Sequence, residues 1–276
     1  MNKKDIIYID WNLYSILKDP KLEPHLILKD FLQQNSDSFE LVYSDAHLGD
    51  LAKTDENKEN QRILDLQYLS RITNDQCIVK YFGRNNVEID NRNPVEFFNT
   101  NKADNQSAIL APFVKISKQM TDMYGPTRDD IIRVHFNTDP KNICNFSVLQ
   151  LDELVRKIGI SKSLEDFLEL GLSLRGDTRN NPITNIDYYT TAYMNLDLIG
   201  FYPDSMKAKG DFNNLLNDSK HSAYGSLCKA FITNDNKCYL KSKLLFEYFE
   251  SQSTLIRTCK LKNNMDEFKE SLKSLV

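Results

Sequence analysis

The amino-acid sequence predicts an α/β fold built on a parallel sheet, and two observations carry that prediction. Short apolar, β-branched runs typical of buried parallel strands recur along the chain, and apolar residues at helical spacing fill the stretches between them. From about Asn105 to Leu216 the helical spacing continues without a strand, so a large helical insertion is expected inside the α/β framework.

The first strand is predicted at Ile6-Ile7-Tyr8-Ile9, which ends at Asp10, and the second at Leu41-Val42-Tyr43-Ser44. A helix follows from Asn57 to Ile72, with Ile63, Leu66, Tyr68, Leu69 and Ile72 on one face, before a third strand at Ile78-Val79-Lys80-Tyr81-Phe82. The stretches from Arg84 to Lys102 and from Gly176 to Pro182 are rich in Asn, Asp and Arg and read as loops. Within the insertion, Ser163-Leu164-Glu165-Asp166 opens a helix with a serine N-cap and an acid three positions later, and Ile183 to Ile199 is a second helix. Strand Ala230-Phe231-Ile232-Thr233, helix Lys237 to Glu250 and strand Leu255-Ile256-Arg257-Thr258 complete the pattern. The expected organisation is one domain formed by residues 1–84 and 210–276, with residues 85–209 as a helical insertion within it.

A chain of 276 residues can bury a substantial core without covalent staples. Its five cysteines are scattered, with no CxxC pair and no Cys/His spacing for zinc, as expected of reduced thiols in a cytoplasmic protein. No stretch is long and apolar enough for a membrane span, and no membrane association is expected. The net charge of −4 gives no general attraction to polyanions. Between Ser205 and Lys262, however, ten Lys/Arg stand against five acids, and Lys207, Lys209, Lys220, Lys241 and Lys243 are expected to meet nucleic acid there. The alternative for these lysines is a solvated helix face.

The chemistry is expected where the strands end. Asp10 follows the first strand, Asp45 and Asp50 follow the second, Asp235 follows the fourth, and Asp218 begins the helix before that strand. In open parallel sheets the ligand crevice lies at the carboxyl ends of the strands, so these carboxylates are delivered to one edge. Gathered carboxylates repel one another unless a divalent cation neutralises them, and oxygen ligands with open water positions suit Mg²⁺ or Mn²⁺. Metal-assisted phosphodiester hydrolysis follows from that set. For each aspartate alone, a helix cap or turn is the competing account. His47 lies three residues before Asp50 and His221 three after Asp218, each on the face of a candidate acid. Trp11 is the aromatic side chain best placed to stack on a base, whereas His25 and His135 are expected to be structural.

Three segments resemble the PIN-like nuclease superfamily: Ile6-Ile7-Tyr8-Ile9-Asp10-Trp11-Asn12; Val42 to Leu51; and Asp218-Ser219-Lys220-His221 with Phe231-Ile232-Thr233-Asn234-Asp235 behind it. The resemblance covers roughly residues 1–82 and 210–262. It implies a three-layer α/β/α sandwich around a parallel sheet, one or two Mg²⁺ or Mn²⁺ ions, and endonucleolytic cleavage, usually of RNA. Residue by residue it implies an acidic quartet of Asp10, Asp50, Asp218 and Asp235, supported by Asn12 and Thr233. The second acid is often Glu in that superfamily, and here the shorter Asp50 stands there with Asp45 as its alternative. A catalytically silent RNA-binding or assembly scaffold and a nuclease acting on DNA are the competing readings. A haloacid-dehalogenase-like phosphatase would need a second Asp where Asn12 stands. The insertion is expected to serve specificity or assembly, through the substrate, a protein partner or a homo-oligomer.

Overall fold

Strand β1 (Asp5–Ile9) sends its side chains alternately into two cores, Ile7 and Ile9 into one and Tyr8 into the other. It belongs to a computed structural model that describes residues 4–54, 56–81, 84, 86–100, 106–172, 184–204, 209–258 and 265–276. From β1 the chain passes through α1 (Trp11–Lys18) and α2 (Glu23–Gln34) to β2 (Phe39–Val42). Helices α3 (Asp45–Leu51) and α4 (Glu59–Thr73) lead to the pair β3 (Gln76–Lys80) and β4 (Val87–Asn91), and α5 (Pro94–Thr100) follows. The helical segment then supplies α6 (Gln106–His135), α7 (Val148–Ile158), α8 (Leu164–Leu168) and α9 (Asn185–Leu198). The chain returns through α10 (Lys209–Gly225), β5 (Ala230–Thr233), α11 (Asn236–Tyr248), β6 (Thr254–Arg257) and α12 (Met265–Lys273).

Four parallel strands form the sheet in the order β2-β1-β5-β6. An antiparallel β3–β4 pair adjoins its edge, where Tyr43 beyond β2 receives one bridge: Tyr43 N donates to Gln76 O at 3.0 Å and Ile78 N to Tyr43 O at 2.8 Å. The chain leaves β1 toward β2 on one side, and β5 later occupies the other side of β1. Such a reversal opens a crevice at the carboxyl ends of the two strands beside it.

Helices complete both cores. Leu13 and Leu17 of α1, Leu28 of α2, Leu66 and Leu69 of α4 and Phe268 and Leu272 of α12 pack on the Ile7/Ile9 face. The other face is covered largely by the insertion. Leu151, Leu154, Phe167, Tyr189 and Tyr193 share one continuous core with Tyr8, Val42, Ile78 and Phe231 of the sheet. Lys80 of β3 pairs with Asp187 of α9 at 2.6 Å, a second tie between sheet and insertion. Asn195 Nδ2 stands 2.9 to 3.0 Å from the Phe167, Leu168 and Leu170 carbonyls, serving the otherwise open end of α8.

The predicted strands ending at Asp10, at Thr233 and around Ile256 are present. The stretch from Arg84 to Lys102 is a correction, because it holds β4 and α5 where loops were expected. Only Val87 and Ile89 carry the strand pattern there, and pairing with β3 supplies what local propensity lacks. Gly176 to Pro182 lies outside the described residues. Among the described residues no helix is long and apolar enough to cross a membrane.

Candidate active site between β1 and β5

The peptide after β1 is fixed to β5 by Asp10 N, which donates to Ile232 O at 3.2 Å. Asp10 is then the N-cap of α1: its Oδ1 accepts from Leu13 N at 2.7 Å, as a short acidic side chain before a helix does. Its Oδ2 accepts from the Thr233 hydroxyl. Asp235 repeats the arrangement on the neighbouring strand, capping α11 through Cys238 N at 2.8 Å. The Thr233 hydroxyl also accepts from Asp235 N at 3.0 Å, so one threonine spans both strand-end acids. Burial raises the Asp10 carboxyl above the ordinary carboxylate range against the pull of Thr233.

Asp50 and Asp218 arrive from helices α3 and α10. Three side chains donate to Asp50: His221 Nε2 to Oδ2 at 2.9 Å, and Asn217 Nδ2 at 2.9 Å and Lys53 Nζ at 2.6 Å to Oδ1. Burial alone would raise this carboxyl, but the donation and charge of His221, with Lys53 behind them, hold it well below the usual range. Gly49 makes the approach of the two helices feasible. A Cβ there would lie 2.7 Å from Asn217 Oδ1.

Asp218 is the opposite case. Among the described residues no donor meets its carboxylate. Burial first, then the charges of Asp50, Asp235 and Asp204, push it well above the ordinary range, and Lys53 opposes them. Asp10 in turn feels Asp50, and the buried thiol of Cys238 is pushed up by burial and then by Asp218, Asp10 and Asp235. The four acids thus share one electrostatic neighbourhood, in which, among the described residues, three carboxylates are pinned by hydrogen bonds and that of Asp218 is not.

Behind Asp50 lies a buried polar chain. Tyr8 Oη is 2.8 Å from His221 Nδ1 and 2.6 Å from Ser44 Oγ. Ser44, Tyr8 and His221 thus form one buried run of hydrogen bonds that ends on Asp50. His47 corrects the expectation of a catalytic histidine. It is fully buried, its Nδ1 accepts from Ser44 N at 3.0 Å and its Nε2 donates to Ile9 O at 2.8 Å. Burial, and then the charge of His221, lowers it to about 3, so it stays neutral and ties the end of β2 to the end of β1.

Asp45 turns away from this neighbourhood into an ion pair with Lys220 at 2.7 Å, and Lys220 brings its carboxyl below the usual range against the effect of burial. Of the two acids of α3, Asp50 is the one whose charge bears on Asp10 and Asp218. Asn12 sits exposed on the first turn of α1. Lys241 is a correction: it is fully buried, paired with Asp197 and, at 3.0 Å, with Asp204, so it cannot reach a phosphate. Lys220 is committed to Asp45, Lys243 is exposed, and Lys207 and the side chain of Lys209 lie outside the described residues. Trp11 is also a correction, since it is buried in the Ile7/Ile9 core with Lys18 Nζ 4.8 Å from its ring centroid.

The residues not anticipated from sequence are Tyr8, Ser44, Asn217, Lys53 and Asp204. Asn217 precedes Asp218 directly and lies four residues before His221, so one face of α10 grips Asp50 twice.

Among the described residues no group of three or more His, Cys, Asp or Glu side chains is gathered to hold a metal ion. The arrangement is nevertheless suited to a hydrated Mg²⁺ or Mn²⁺, which is commonly held by one or two carboxylates, waters and substrate phosphate. Asp218, which meets no donor among the described residues and feels three acids against one lysine, is the carboxylate with most to gain from such a cation. Comparison with protein-family models, with curated proteins and with solved structures found no match.

Proposed function

We propose that this chain is a metal-dependent nuclease of PIN-like type, hydrolysing phosphodiester bonds of RNA in preference to DNA. One observation carries the reading: Asp10, Asp50, Asp218 and Asp235 bear on one another electrostatically near the ends of β1 and β5, and among the described residues Asp218 is the one of the four whose carboxylate meets no donor. Asp218 would hold Mg²⁺ or Mn²⁺, with Asp10, Asp235 and Asp50 bearing on it directly or through water. The bound cation would acidify a water and offset charge at the scissile phosphate.

The chain's own residues divide the remaining work. Thr233 orients Asp10 and holds the start of the loop that carries Asp235. His221 and Asn217 fix Asp50 as an anion from one side of α10, and Tyr8 fixes His221. Lys80 with Asp187, and Lys241 with Asp197 and Asp204, tie the insertion to β3 and α11, and in this reading the insertion would shape what reaches the acids.

The test is a cleavage assay on single-stranded RNA, double-stranded RNA, single-stranded DNA and duplex DNA, each with Mg²⁺, Mn²⁺ or EDTA. Cleavage of RNA that needs the cation and is lost in Asp218→Asn supports the reading. Cleavage of DNA alone transfers the activity to the DNA branch, and RNA binding without cleavage under every condition favours the silent scaffold.

A further inference from the structure

A cation already stands against the acidic group. Lys53 follows the carboxyl end of α3, its Nζ lies 2.6 Å from Asp50 Oδ1, and its charge reaches Asp218. It shares Asp50 with two donors of a different kind. Asn217 and His221 are 7% and 1% exposed and are held on α10 by the close approach at Gly49 and by Tyr8. The side chain of Lys53 is 36% exposed, on a flexible four-carbon stem whose ammonium hydrates readily. An ion pair at such exposure is weakly held, whereas moving Asn217 or His221 would break buried hydrogen bonds.

We propose that Lys53 is an exchangeable counter-ion: it covers Asp50 while the crevice lacks a divalent cation, leaves when one enters, and then meets the phosphate of the nucleic acid. This rests on the metal-dependent reading above. A divalent cation near Asp50 and Asp218 repels an ammonium at the distance Lys53 occupies, and it removes the excess negative charge that kept Lys53 there. An incoming polyanion offers the released ammonium a new partner at the mouth of the same crevice. Lys53 therefore competes with the metal and assists the substrate, two effects that a merely structural surface pair would not combine.

The experiment measures Mn²⁺ binding to the full chain by the paramagnetic resonance of free Mn²⁺, for wild type, Lys53→Met, Lys53→Gln, Lys53→Arg and Asp218→Asn. Binding of a short single-stranded RNA is measured with and without Mn²⁺ for the same proteins. Both neutral variants are expected to bind Mn²⁺ about fivefold tighter or more, since a competing unit charge is gone, with Lys53→Arg near wild type. The same neutral variants should bind RNA more weakly when Mn²⁺ is present. Mn²⁺ binding by the neutral variants alone also supports competition. Unchanged or weaker Mn²⁺ affinity in both neutral variants, with wild type binding the ion, overturns the exchange and leaves the metal reading standing. Absence of Mn²⁺ binding in every protein overturns both.

Discussion

The Thr233 hydroxyl donates to the buried carboxylate of Asp10 across the junction of β5 and β1. Asp10 is 5% exposed, so water is poorly placed to replace that donor. Thr233→Val should cost about 1–3 kcal/mol in denaturant unfolding, the range for a buried acceptor left without its partner. It should also lower cleavage, because Asp10 and Asp235 lose their common orienting group. Thr233→Ser keeps the hydroxyl and should recover most of both. Equal cleavage by the Val and Ser variants would remove Thr233 from the site's function.

A second prediction concerns pH. The folded-state carboxyl of Asp218 lies above its unfolded value, so its contribution favours folding only at low pH and is lost as pH rises toward the folded value. Asp218→Asn, which stays neutral, should therefore match wild type below about pH 4, where an unfolded aspartate is also protonated. Above that pH, in EDTA, the variant should become progressively the more stable protein. Denaturant midpoints from pH 3 to pH 8 check this, and a constant difference across the range would contradict it. Asp50 has the opposite sign: its lowered carboxyl stabilises the fold above the unfolded value and ceases to do so in acid.

Lys241 yields a third prediction because it is structural and not a docking cation. Lys241→Met would leave Asp197 and Asp204 without their shared buried partner, and about 3–5 kcal/mol of stability should be lost. Lys243→Met, at an exposed position one residue along from Ser242, should leave stability nearly unchanged. If RNA approaches over α11, the Lys243 variant alone should flatten the salt dependence of binding, by about one unit of slope for one phosphate contact. Melting curves and affinities at several salt concentrations for both variants separate the two roles.

These residues also show what could be read from sequence. Asp10 and Asp235 were legible because their surroundings are local: an apolar run, an acid, then a helix that the acid caps. The donors to Asp50 were not, since Asn217 and His221 stand 167 and 171 positions away and only the packing of α10 on α3 brings them there. Lys241 did leave a trace. It falls at a core position of its own helix, with Cys238, Ser242 and Leu245 at buried neighbouring positions, but its partners come from the insertion, whose placement no local pattern specifies. The parallel strands themselves were visible, while β4 was hidden by the polar residues that an edge strand tolerates.

The last prediction turns on Gly49 and Asn217. A Cβ at Gly49 would meet Asn217 Oδ1 at 2.7 Å and Nδ2 at 2.8 Å, the atoms at the far end of that side chain. Such a group can swing aside, and alanine is the better helix former by about 1 kcal/mol, so Gly49→Ala should alter stability by no more than about that amount. What it should forfeit is the 2.9 Å hydrogen bond from Asn217 to Asp50, leaving Asp50 less firmly placed relative to Asp218. Gly49→Ala should then reduce turnover about as much as Asn217→Ala does. The double variant should be no worse than either single one, because both substitutions remove the same contact. Turnover at saturating substrate and unfolding free energy, measured for all four proteins, decide the matter. Additive losses of turnover would mean that Gly49 acts through something other than Asn217.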